Sequence, residues 1–66
     1  MKCMTDIITV TSEVESLLAK MRWRLKWMND GKGNYLEHYT EYLNLSNQAQ
    51  NKVELLKELH DTLEKY

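Results

Sequence analysis

Two histidines lie where imidazole and carboxylate would share a helical face: His38 with Glu41, and His60 with Asp61 and Glu64. Such groupings could ligate a metal or move a proton. A carboxylate-bridged di-iron bundle needs Glu-x-x-His, however, and Lys57 stands three residues before His60. Both histidines also fall at the border of an apolar stripe, where an amphipathic ring at a helix edge is the ordinary occupant. "GKGN", Gly31 to Asn34, lacks the glycine spacing and the following Lys-Ser/Thr of a phosphate cradle. Cys3 is the single cysteine, so no internal disulfide can form, and it reads as a small apolar residue in a reducing compartment. No catalytic, cofactor-binding or metal-binding set emerges. The expectation is a protein that is not an enzyme and takes no cofactor.

The other place where side-chain types stand out is "AKMRWRLKWMNDGKGNY", Ala19 to Tyr35. Lys20, Arg22, Arg24 and Lys26 alternate with Trp23 and Trp27 just before the glycines. Aromatics among cations can stack on bases, sit at a membrane surface, fill a core or anchor a protein partner. The chain has 9 basic and 10 acidic side chains and a net charge of −1, which is no footprint of a nucleic-acid binder. Glu13, Glu15 and Asp30 further dilute the local positive charge. No apolar run approaches the roughly 20 residues of a membrane span. The opening "MKCMTDIITV" reads as too short and too polar for a signal peptide, so a cytoplasmic location is expected. Neither nucleic acid nor membrane is an expected partner.

Helices must position these residues. The chain of 66 residues has no proline, and both glycines sit in "NDGKGN", Asn29 to Asn34. Before that breaker, Ile7, Val10, Val14, Leu17, Met21 and Met28 follow alternating 3-4 spacing, and Leu18 and Leu25 widen the stripe. Arg24 is the one miss in the series, and Leu25 offsets it. "SEVE", Ser12 to Glu15, has the form of a capping box. The spacing nevertheless stays in phase back to Ile7, which places the helix start near Thr5 or Asp6, against the resistance of the β-branched run "IITVT".

After the breaker, Tyr35, Leu36, Tyr39, Tyr42 and Leu43 share one face. Leu45, Ala49, Val53, Leu56, Leu59 and Leu63 carry a stripe whose centre is rotated by roughly 100°. Heptad drift accounts for about 60° of that. The remainder points to a bend or a second contact surface near "NLSNQAQN", where "NQAQ" could also cap a separate third helix. One long helix is the favoured reading.

The expected fold class is all-α: an antiparallel two-helix hairpin with a Gly turn, forming a single domain over residues 1–66. Its helices span about 5–29 and about 35–65, with the turn at 30–34, so the second arm is longer by roughly 10 Å. One seam between two helices seldom holds a unique fold, and so short a chain buries only roughly 60% of its unfolded surface. Without a disulfide, completion by a partner or by dimerisation is the expected supplement.

A wheel of the first helix puts Trp23 and Trp27 almost opposite the main stripe. Thr5, Thr9, Ser12, Ser16 and Ala19 stack behind them, all small and uncharged. Charges line the two borders, Asp6, Glu13, Lys20 and Arg24 on one, Glu15, Arg22 and Lys26 on the other. A helix with one core face and one solvated face would carry its charges opposite the core. The expected partner-binding residues are therefore Trp23, Trp27, Ser16 and Ala19, with exposed parts of Tyr39, Tyr42 and Leu43 as a second contact. The competing reading folds the indoles over Tyr35, Leu36 and Tyr39 as intramolecular cover.

In "LLAKMRWRLKWMNDGKGNY", a Leu/Met-spaced helix runs into a glycine turn before a Tyr, and a long polar-centred helix follows from Tyr35 to Tyr66. This layout resembles the type III secretion needle-protein co-chaperones of the YscE type, across most of residues 14 to 63. The resemblance implies a cytoplasmic adaptor without enzymatic activity. Its partner would be a larger helical-repeat (TPR-like) chaperone and, indirectly, a needle subunit kept from polymerising before export. The concave surface of a helical repeat suits such a helix. The alternative is a small homodimeric helical-bundle regulator or inhibitor, phage-encoded for example, that binds a host protein.

Overall fold

The computed structural model describes residues 2–64 and consists of two α-helices, α1 (Lys2–Asn29) and α2 (Tyr35–Glu64), packed against each other as an antiparallel hairpin. The side chain of Cys3, and Lys65 and Tyr66, lie outside the described residues. The hairpin measures 50 × 14 × 12 Å, and its radius of gyration is 15.2 Å. A compact domain of this length would have a radius of about 11 Å.

Helix α1 starts at Lys2, three residues before the earlier start that its spacing indicates. Within it, Thr11 Oγ1 donates to the Ile7 carbonyl at 2.7 Å and Ser12 Oγ to the Ile8 carbonyl at 3.1 Å. These bonds occupy hydroxyls that would otherwise compete for the backbone, and they place Ser12 inside the helix rather than at a cap. With 28 and 30 residues, the two arms are nearly matched, and the expected overhang shrinks to about 3 Å.

The turn is built from two capping devices end to end. Gly31 N–H donates to the Met28 carbonyl at 3.3 Å and Lys32 N–H to the Trp27 carbonyl at 3.0 Å. That is a Schellman motif, and Gly31 supplies its left-handed residue at φ +69°. Asn34 then caps α2: its Oδ1 accepts from the backbone N–H of Leu36 at 2.9 Å and of Glu37 at 3.4 Å. Glu37 in the first turn adds a favourable charge at the helix N-terminus.

The seam is narrow. Ile7, Val10, Leu17, Leu45 and Ala49 are buried, and Leu17, Leu45 and Ala49 form one cluster with Met21 against it. None of the described side chains is fully enclosed. Helix α2 runs unbroken through "NLSNQAQN", with Leu45 and Ala49 at the centre of the seam. The polar run therefore does not start a third helix.

Two seam positions differ from the sequence reading, and both in the same way. Arg24 is half-buried in the seam, while Leu25 beside it is 46% exposed. On α2, Lys52 is half-buried, while Val53 is 52% exposed. The strict 3-4 spacing wins over residue type at each place, because a long cation can lay its aliphatic stem in the seam and send its head to a partner. Lys52 Nζ pairs with Glu13 Oε2 at 2.7 Å across the hairpin. Arg24 Nη1 donates to His38 Nδ1 at 2.9 Å.

Candidate interaction surfaces

The tryptophans sit at the turn end of α1, but the structure separates their surroundings. Their ring centroids are 6.0 Å apart and tilted by 36°. Trp27 is half-buried; its ring lies 5.5 Å from that of His38, and the Arg24 guanidinium stands 5.4 Å over it. It thus packs on α2 at His38. Trp23 is 54% exposed, with the Lys26 ammonium 5.2 Å over its ring. It borders an open hollow of about 300 Å³ with Ala19, Arg22 and Lys26. Ser16 is exposed as well, but it lines a different hollow with Glu13, Lys20, Gln48 and Lys52, on the charged side of the seam. The small-residue column is thus split between two concavities.

His38 is the organiser of this end. Its Nε2 lies 2.8 Å from the Lys32 carbonyl, and its Nδ1 2.9 Å from Arg24 Nη1. A carbonyl can only accept and a guanidinium can only donate, so both contacts require the neutral imidazole with its proton on Nε2. The ring thereby ties α1, the turn and α2 together. Among the described residues no group of three or more His, Cys, Asp or Glu side chains is gathered to hold a metal ion. None of their helices is long and apolar enough to cross a membrane.

On α2, Tyr39 is exposed and stacks on Tyr35, with centroids 6.3 Å apart and planes within 12°. Tyr42 is half-buried and Leu43 exposed. Leu43 points away from the hairpin axis, two residues from buried Leu45 and so on the other side of the helix.

A third surface lies beside the polar run of α2 and extends onto α1. Leu18 and Val53 line an open groove of about 480 Å³ with Val14, Met21, Ser46 and Ala49, and Gln50 and Glu54 stand at its α2 border. Helical position extends this side of the hairpin along both arms. Met4, Thr11, Leu18 and Leu25 recur every seven residues on α1, and Tyr39, Ser46 and Val53 do so on α2. All seven are uncharged, and Met4, Leu18, Leu25, Tyr39 and Val53 are exposed. The opposite side carries Glu13, Lys20, Lys52, Glu37 and Glu41 around its hollows. The signal that could have found this surface is the seven-residue recurrence without charge. Residue type assigns Leu25 and Val53 to the seam instead, which masks that recurrence.

No protein-family model matches the chain, and no curated protein or solved structure shows significant similarity to it.

Proposed function

We propose that this chain is a non-enzymatic adaptor that binds a larger helical protein through the back of α1 at Trp23. The observation that carries the reading is the exposed indole of Trp23, 54% accessible beside a hollow floored by Ala19. A large amphipathic ring next to a small side chain is the arrangement that anchors a partner helix. Arg22 and Lys26 at the rim favour an acidic edge on that partner. The resemblance to needle-protein co-chaperones supplies the specific form of the proposal. The partner is a helical-repeat chaperone in the cytoplasm, and the pair holds a needle subunit unpolymerised.

The test is affinity purification of the tagged chain from its native cytosol, with Trp23→Ala alongside. The expected result is a stoichiometric helical-repeat protein, accompanied by a small secreted subunit and reduced at least tenfold by the substitution. Recovery of the hairpin without a helical-repeat protein would sink the proposal. So would a partner held equally well by the Trp23→Ala chain.

A further inference from the structure

The hairpin exposes 5248 Å². A compact monomer of 7.9 kDa would expose about 4,400 Å². The difference, about 800 Å², is what one partner contributes to a standard-size interface. An apolar groove beside the seam, between Leu18 and Val53, is one place where such an interface could form.

We infer that the largely apolar Leu18–Val53 face, with Glu54 at its border, is the contact with a second copy of this chain, arranged antiparallel about a two-fold axis to make a four-helix bundle. The pattern on the face is symmetric about one level. Glu13 meets Lys52 and Arg24 meets His38 across the seam, so Leu18, midway between Glu13 and Arg24, stands level with Ser46. A two-fold axis at that height lays Leu18 on its counterpart and Thr11 against Leu25 of the second copy. On α2 it brings Ser46 onto its counterpart and Tyr39 against Val53. A large side chain then meets a β-branched one where Thr11 faces Leu25 and Tyr39 faces Val53, while Leu18 packs on itself and Ser46 and Ala49 allow close approach at the centre.

The charges at the border have the same symmetry. Glu15 and Arg22 flank the α1 edge of the face, both exposed, seven residues apart and on either side of Leu18. The same axis places Glu15 of each copy beside Arg22 of the other, giving two equivalent ion pairs. Among the described residues neither makes an ion pair inside the hairpin, where the salt bridge found is Lys52–Glu13. An acid three residues before Leu18 and a base four residues after it are complementary to themselves under a two-fold axis, which favours a second copy as the occupant.

The experiment is sedimentation equilibrium of the purified full chain from about 1 to 100 µM, with far-UV circular dichroism to check helicity. The expected mass rises from 7.9 kDa to twice that value. Glu15→Arg alone replaces two attractions by two repulsions and should weaken the dimer about tenfold. The swap Glu15→Arg/Arg22→Glu should restore it. Should Glu15→Arg fail to fold, Arg22→Glu poses the same test from the other side of the axis. Leu18→Glu, at the centre, should leave a helical monomer. A monomer throughout the range overturns the inference. So does a dimer indifferent to these substitutions, which would assign association to another surface such as the Trp23 hollow.

Discussion

Replacing one or the other turn glycine by alanine separates the backbone requirement of the turn from its packing against His38. Gly31 and Gly33 both have left-handed φ, +69° and +74°. A Cβ in that region costs about 1–2 kcal/mol. At Gly31 the added methyl meets nothing within 4 Å, so Gly31→Ala should cost only this conformational term, about 1 kcal/mol. At Gly33 it would lie 2.9 Å from His38 Nε2, the atom that donates to the Lys32 carbonyl. The ring is held from its other side by Arg24 and Trp27, so it cannot yield without losing a contact. One lost hydrogen bond adds about 0.5–1.5 kcal/mol, which brings Gly33→Ala to about 2–3 kcal/mol. For a chain this small a 1 kcal/mol difference separates the melting temperatures by about 4–8 °C. Urea unfolding followed by circular dichroism, at one fixed protein concentration, measures both variants. A double-mutant cycle with His38→Ala isolates the coupling: without the ring, Gly33→Ala should cost no more than Gly31→Ala. Equal costs for the two glycines in the wild-type background would refute the reasoning, because His38 would then not be seated against Gly33.

Three further outcomes follow from the geometry. Trp27→Ala, which removes a half-buried ring from His38 and Arg24, should cost about 1–2 kcal/mol, whereas exposed Trp23→Ala should stay within about 0.5 kcal/mol in the same unfolding assay. Asn34→Ala leaves the Leu36 and Glu37 N–H groups without their cap and should cost about 1 kcal/mol, while Asn34→Asp should be nearly neutral in a thermal melt. Lys52→Met should raise the melting temperature. The Lys52–Glu13 pair is 37% and 44% exposed, so its loss costs at most about 1 kcal/mol, while an apolar chain at that seam position recovers a comparable amount per buried methylene. A lower melting temperature for Lys52→Met would show that the ion pair, not the lysine stem, holds that part of the seam.

Much of the hairpin was legible in the residues themselves. Two glycines in an otherwise proline-free chain, with Asn34 just before the second helix, leave a single place for the turn. Local chemistry suffices there: a left-handed residue ends one helix and a side-chain oxygen starts the next. Ile7, Val10, Leu17, Leu45 and Ala49 were likewise readable as core, since periodicity and residue type agree at each. The absence of a disulfide partner for Cys3 and the balance of charge were also properties of composition alone.

Where periodicity and residue type disagree, only the packed structure decided. Arg24 and Lys52 hold the seam, and Leu25 and Val53 turn outward, because each cation finds an acceptor on the facing helix, His38 or Glu13. No single helix contains that acceptor, so no wheel drawn for one helix could choose between the cation and its apolar neighbour. The same pairing of the arms separates Trp27, against His38, from Trp23, in the open, although both share one face of α1. It also collects Leu18, Leu25, Tyr39 and Val53 on one side of the hairpin. The sequence determined the two helices and their turn by local hydrogen bonding and spacing. Which apolar residues are left outside was decided by what each helix meets on the other.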